Sequence, residues 1–197
     1  MTSQLEKELT FLVKQLFQQH THNHAAALKD FCVQHFSAQL LQLKKKIATS
    51  NTAYYEKEIL LVNDEVEVMM SAWLPGNTCY PHDHDQAACF VFVLSGVVEN
   101  TLLDFTNDEL KVISKTTKVA GDDLYLANGI IHYMQNIGTG DLLCLHVYTP
   151  GISEMKVFDE QQKKIYTLSG EAAAWLPANN NHILQVKSYG KKVNQPA

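Results

Sequence analysis

Two histidines separated by a single residue, His82 and His84, have the spacing in this sequence that most directly allows chemistry. Side chains alternate along an extended chain, so both imidazoles are expected to project to one side while Asp83 points to the other. Converging imidazoles can bind a transition metal, but an isolated pair with this spacing is as often structural as ligating. The pair predicts a metal site only if a third ligand joins it.

Two longer segments supply that context through the spacing of their glycines and histidines. The first runs Gly76, five residues, His82, one residue, His84, four residues, Cys89, six residues, Gly96, and the second runs Gly121, Ala127, Gly129, His132, Asn136. They resemble the first and second motifs of cupins, with Ala127 in the place of the usual proline. On this resemblance His132 approaches from a neighbouring strand inside a small barrel, and three histidines cap one side of a metal while the other side stays open.

Cys89 stands where ordinary cupins carry a glutamate ligand. The predicted metal is then held by three neutral imidazoles without an anionic protein ligand, which favours an anionic thiolate as its partner. The run from Pro81 to Phe90 resembles the metal segment of the cysteine dioxygenase family, and the run from Leu145 to Pro150 is similar to the segment with that family's tyrosine. The resemblance implies iron(II) as cofactor and a thioether between Cys89 and Tyr148.

Periodicity places Cys144, His146 and Tyr148 on one face of one strand, because they are two residues apart. In the resembled family the matching column is a serine, a histidine and the tyrosine, whose hydroxyl is directed at substrate and oxygen. Here Cys144 replaces the serine, and because a thiol is the weaker donor we expect His146 to be held less firmly. The alternative is that the three side chains merely fill the barrel interior.

The substrate end of the pattern departs from the family. In the resembled family an arginine two residues after a tyrosine binds the substrate carboxylate. In this sequence the matching tyrosine is Tyr54, and the arginine position falls on Glu56. Lys57 could supply the charge after a shift of one residue, but such a shift reverses the face of a strand, so Glu56 and Lys57 cannot both face the pocket. All 16 basic residues are lysine, so no guanidinium is present to bind a carboxylate in two-pronged fashion.

Three functional hypotheses follow from these residues. The first is an iron(II) dioxygenase that oxidises a small thiol, cysteine or a similar one, to the sulfinic acid, with Tyr148, Cys89 and His146 as catalytic residues and Tyr54 and Lys57 near the substrate. The second is the same chemistry on a thiol acid without an amine, such as 3-mercaptopropionate. The third is a cupin that binds metal as a sensor or store without turnover.

The elements that position these residues are predicted by hydrophobic periodicity. Residues 5–47 show helical spacing and predict two helices, whereas short runs after Asn51, separated by turn signals, predict antiparallel strands. The expected fold is all-β dominated: a small jelly-roll barrel preceded by two N-terminal helices. We expect one structural domain, with a helical segment at 1–50, the barrel at 51–170 and an extension at 171–197. The predicted strands are 58–62, 66–73, 89–94, 97–105, 110–118, 123–126, 133–137, 142–149 and 155–158.

Composition narrows the choice of partners. A net charge of −5 disfavours nucleic acid and anionic membranes, both of which require a basic surface. The sequence has neither a signal-like start nor a long apolar run, which predicts a cytoplasmic protein, and its four cysteines lack paired spacing. We expect a monomer whose partners are a small thiol and O2.

Overall fold

The computed structural model describes residues 2–19, 21–49, 55–176 and 180–190. Its N-terminal part contains three helices, α1 (Ser3–Gln19), α2 (His22–His35) and α3 (Ser37–Thr49), where the sequence predicted two. Phe36 alone separates α2 from α3: its N–H donates to the carbonyl of Cys32, and helical bonding resumes with Leu40. The count of two was wrong because the apolar spacing continues across this break, and neither glycine nor proline marks it.

The rest of the described chain is built from short strands. All nine predicted strands are present within a few residues of their expected ends, and two more follow them. The strands are β1 (Tyr55–Val62), β2 (Glu67–Trp73), β3 (Ala88–Ser95), β4 (Val97–Thr106), β5 (Glu109–Val119), β6 (Asp123–Leu126), β7 (Ile131–Asn136), β8 (Leu142–Thr149), β9 (Glu154–Asp159), β10 (Lys164–Ser169) and β11 (Ile183–Ser188).

These strands form three sheets rather than one closed barrel. The largest has the order β1-β2-β8-β3-β6, and the two smaller ones have the orders β5-β4-β7 and β11-β10-β9. The segment before β3 joins the two smaller sheets, because His82 bridges both His132 on β7 and Val157 on β9. The predicted barrel is therefore a jelly roll of two facing layers, joined by irregular backbone at one edge.

Strand β8 is buried on both faces and separates the two main cores. Leu143, Leu145 and Val147 point outward and pack with the buried faces of the three helices. Cys144 and Tyr148 point inward, into a core shared with strands of the opposite layer. A one-residue slip of β8 would turn the polar inward column towards the helices, so the register of this strand is strongly specified.

Two further features bear on the chain as a whole. Strand β11 pairs with β10, so part of the predicted C-terminal extension adds a strand to a sheet. Among the described residues, no helix combines the length and apolarity needed to cross a membrane.

Candidate metal centre

The three histidines predicted from the motifs lie close together and are buried. His82 and His132 exchange backbone hydrogen bonds of 2.9 Å, which holds their strands side by side, and His84 follows two residues later. One nitrogen from each of the three rings lies within 4.8 Å of the others. Asp83 turns away, as alternation requires, and its carboxylate accepts a hydrogen bond from the Lys156 N–H at 2.9 Å. The spacing thus brings three imidazoles to one point.

The Nδ1 atoms of two of these rings are hydrogen-bonded to other residues of the chain. His82 donates from Nδ1 to the carbonyl oxygen of Tyr80 at 2.9 Å, and His132 donates from Nδ1 to Oδ1 of Asn100 at 2.8 Å. Both bonds leave Nε2 unprotonated, which is the form that binds a metal. Nε2 of His132 is buried without a hydrogen-bond partner in the described structure. A buried acceptor without a partner is costly, and a metal ion would satisfy it.

Burial keeps these imidazoles neutral. It lowers the pKa of His82 to about 4, and it lowers the pKa values of His84 and His132 well below the ordinary range, with the neighbouring rings adding to the effect. Neutral imidazoles are suitable ligands for iron, nickel, copper or zinc. Within the described residues the cluster contains no carboxylate or thiolate ligand. The donor set therefore fits a divalent transition metal held by three neutral nitrogens.

Cys89 and Tyr148 face each other across two paired strands beside this cluster. They are direct partners in the β3–β8 register, which places their Cβ atoms about 4.5–5.5 Å apart. Burial raises the pKa values of both the thiol and the phenol, and the neighbouring thiol adds to the shift of the phenol. The Tyr148 ring also packs edge-on against His84, with 5.0 Å between ring centroids. The thiol and the phenol thus lie next to each other, beside the three-histidine cluster.

His146 lies between Tyr148 and strand β2. Its Nδ1 is 3.3 Å from the Tyr148 hydroxyl, and its Nε2 is 2.8 Å from Oγ of Ser71. The sequence predicted a loosely held ring because Cys144 offers only a thiol. The hydroxyl comes instead from Ser71, which the sequence analysis did not single out and which lies opposite Cys144 in the β2–β8 register.

A cavity of about 520 Å³, its mouth included, opens beside the three histidines. Tyr55 and Trp73 form one wall, and Trp175 covers it from the segment after β10. Trp175 stacks on Tyr55 with 4.2 Å between ring centroids and lies 5.0 Å from Trp73. Residues of the segment after β10 therefore close part of the space next to the three histidines.

The expected substrate residues take the following positions. Tyr54 lies outside the described residues. Tyr55 and Lys57 pair with Trp73 and Ser71 and line the cavity, whereas Glu56 pairs with Ala72 on the opposite face. The carboxylate of Glu56 is thus kept out of the pocket by the alternation of β1.

Lys57 and Glu67 place two opposite charges in the cavity wall. Lys57 donates to the carbonyl oxygens of Glu171 and Ala172 at 3.0 and 3.1 Å, and partial burial lowers its pKa. Glu67 is 4% exposed, accepts the Ile152 N–H at 3.2 Å and has its pKa raised by burial. Glu67 was missed by the sequence analysis, although alternation back from Trp73 puts it and Ser71 on the inward face as the polar residues of an apolar strand.

The two facing layers and the three-histidine centre define this chain as a cupin. The family described as cysteine dioxygenase type I matches residues 8–161, which is most of the chain. The protein belongs to the cysteine dioxygenase type I family.

Individual relatives are distant. The chain is 27% identical to cysteine dioxygenase type 1 of Rattus norvegicus over 105 residues, which cover 50% of this chain and 52% of that protein. It is 26% identical to cysteine dioxygenase type 1 of Homo sapiens over 104 residues, with the same coverage. The matched region thus spans about half the length of these curated relatives. A solved protein of Klebsiella pneumoniae subsp. pneumoniae with a double-stranded β-helix domain is 20% identical, with a TM-score of 0.49 over 58% of this chain and 87% of that one.

Proposed function

We propose that this chain is an iron(II)-dependent dioxygenase that oxidises a small thiol to its sulfinic acid, with both oxygen atoms of O2 entering the product. The observation that carries the proposal is the cluster of three neutral histidines beside a cavity that is lined by Tyr148, the cross-strand partner of Cys89. Proteins named cysteine dioxygenase type 1 are among the relatives that this chain matches, which supports the same chemistry.

His82, His84 and His132 are the residues that would hold the iron. When bound there, iron(II) would supply the redox chemistry and the positive charge that favour a thiolate and O2 as reactants. The chain contributes a cavity partly covered by Trp175, which would hold the reactants close together. Burial raises the pKa values of Tyr148 and Cys89, so the phenol keeps its proton and is able to donate a hydrogen bond.

The cavity wall argues against a strong preference for the carboxylate of L-cysteine. Lys57 already donates to two carbonyl oxygens, and Glu67 lies close enough to affect its pKa. An ammonium group lacks the planar two-pronged geometry that arginine offers a carboxylate. A substrate carboxylate would meet one positive charge, that of Lys57, which Glu67 partly offsets. A substrate amine could instead approach Glu67.

We therefore expect the values of kcat/KM for L-cysteine, cysteamine and 3-mercaptopropionate to lie within about tenfold of one another, which corresponds to about 1.4 kcal/mol. Oxygen uptake by the iron-loaded chain, with the sulfinic acid identified by mass spectrometry, measures this. Preference for L-cysteine by several hundredfold would contradict the expectation. Oxygen uptake with none of the thiols would leave metal binding without turnover as the function.

A pair of variants shows which charge each substrate meets. Lys57→Met should reduce kcat/KM for 3-mercaptopropionate more than for cysteamine, and Glu67→Gln should do the reverse. Comparing substrates within one variant removes effects common to all of them, such as loosening of the segment that Lys57 binds. Equal losses for both substrates would show that neither charge contacts the substrate.

We also expect a thioether between Cys89 and Tyr148 in a fraction of the protein. Forming it removes one hydrogen from the thiol and one from the ring carbon beside the hydroxyl, with O2 as the oxidant. Peptide mass spectra should then show the two segments joined, two hydrogens lighter than their sum. Cys89→Ala should abolish the joined peptide, whereas Cys79→Ala, which removes another buried cysteine, should retain it. Absence of the joined peptide from the unmodified chain after aerobic turnover would contradict the expectation.

A further inference from the structure

Four side chains on β2 and β8 form a continuous row of hydrogen bonds along the inner wall. Nε1 of Trp73 donates to Oγ of Ser71 at 2.8 Å, and the same oxygen lies 2.8 Å from Nε2 of His146. The other ring nitrogen of His146 lies 3.3 Å from the hydroxyl of Tyr148. Ser71 is fully buried, and His146 and Tyr148 are nearly so. Such a row has few ways to place its protons.

The indole at one end fixes the direction of the whole row. An indole nitrogen can only donate, so the oxygen of Ser71 accepts from Trp73 and its own hydrogen is available for His146. If Nε2 of His146 instead donated to Ser71, the buried hydroxyl hydrogen would have no acceptor, because these two contacts are its hydrogen bonds in the described structure. A buried donor without a partner is costly. Nε2 therefore accepts, and the proton of the neutral ring lies on Nδ1.

We propose that Ser71 is a positioning residue that holds His146 with Nδ1–H directed at the oxygen of Tyr148, so that the Tyr148 hydroxyl hydrogen is free for Cys89 or for a ligand in the cavity. Without this bond the ring could carry its proton on Nε2, and Tyr148 would then donate to Nδ1 rather than into the cavity. Ser71 acts through His146 and does not touch the reactants.

The neighbouring strand explains why this task falls to Ser71. Cys144 is directly opposite Ser71 and shares the inward face of β8 with His146, so a hydroxyl at residue 144 would also lie within reach of the imidazole. Cys144 carries a thiol instead, whose pKa burial raises and which is a weak donor. The hydroxyl that orients the ring has thus been supplied from β2.

The tautomer of His146 tests the proposal directly. The chain labelled with ¹⁵N-histidine and loaded with diamagnetic zinc should show, in long-range ¹H–¹⁵N spectra, His146 protonated on Nδ1. Ser71→Ala should give a substantial Nε2–H population, and Ser71→Thr should keep the original tautomer. The double variant Ser71→Ala with Cys144→Ser should recover it, because the hydroxyl returns from the opposite strand. Protonation on Nε2 in the unmodified chain, or no change in Ser71→Ala, would overturn the proposal.

The expected effect of Ser71→Ala on kcat rests on the proposed function, and it is measured independently of the spectra. With the iron-loaded enzyme and cysteamine, Ser71→Ala should lower kcat by about tenfold, the effect of one hydrogen bond, and change KM less. Ser71→Thr and the double variant should restore kcat. A change in KM with an unchanged kcat would overturn the positioning role. If the chain oxidises no thiol, the proposed function fails, but the spectra still decide how His146 is oriented.

Discussion

Replacement of His132 by alanine is expected to leave the purified chain with less than about a tenth of its normal metal content, and with no thiol oxidation. Two neutral imidazoles would remain, without an anionic ligand to hold the ion. Metal analysis after dialysis against a weak chelator measures the loss, and we expect the same for His82→Ala and His84→Ala.

Two matched variants show whether the loss reflects ligation or damage to the core. Asn100→Ala removes the partner of His132 Nδ1 but leaves the ligand atom, so we expect metal affinity to fall by about 10- to 100-fold. His146→Gln changes a buried histidine outside the three-histidine group and should leave metal content close to normal. Full metal retention in any two of the three alanine variants would refute the centre.

The metal-free chain is expected to lose stability steeply as the pH falls below about 6.5. Burial lowers the pKa values of His82 to about 4 and of His146 to about 3, and lowers those of His84 and His132 as well. Below about pH 6.5 the unfolded chain binds protons at these residues that the folded chain does not bind. Each such histidine therefore lowers the free energy of unfolding by up to about 1.4 kcal/mol per pH unit until its folded pKa is reached.

Urea unfolding of the metal-free chain between pH 7.5 and 4.5, a range of about three units around the histidine pKa, measures this slope. His146→Gln should make the slope of unfolding free energy against pH shallower, by the contribution of about one proton. His35→Gln, which removes an exposed histidine on α2, is the control for loss of a histidine outside the cavity. Stability that is constant over this range, or an equal slope in His146→Gln, would show that these rings are not buried in neutral form.

The sequence was most informative where short-range alternation and motif spacing act together. The positions of His82 and His84 in the segment before β3, of His132 on β7, and of the nine predicted strands depend on patterns that are local in the sequence. Cys144, His146 and Tyr148 share the inward face because they are two residues apart on β8, as expected. Alternation also predicted that Glu56 and Lys57 cannot both face the cavity.

Features that depend on pairing between distant strands could not be obtained in this way. Ser71 is 75 residues from His146 in sequence, and only the β2–β8 register shows that the two side chains meet. Lys57 likewise reaches carbonyl oxygens that lie 114 and 115 residues away in the sequence. The break at Phe36 was missed because backbone geometry ends the helix there while the apolar pattern continues. Strand β11 contains one half-buried residue and five exposed ones, so it shows little hydrophobic alternation.

The position of the aromatic wall has a practical consequence for spectroscopy. The chain contains two tryptophans, Trp73 and Trp175, and both line the cavity beside the histidines. Nearly all of the protein's intrinsic tryptophan emission therefore arises from the site itself. A paramagnetic ion or a bound thiol should change that emission, so that binding can be titrated with unlabelled protein, and Trp73→Phe and Trp175→Phe would assign the signal to one wall or the other.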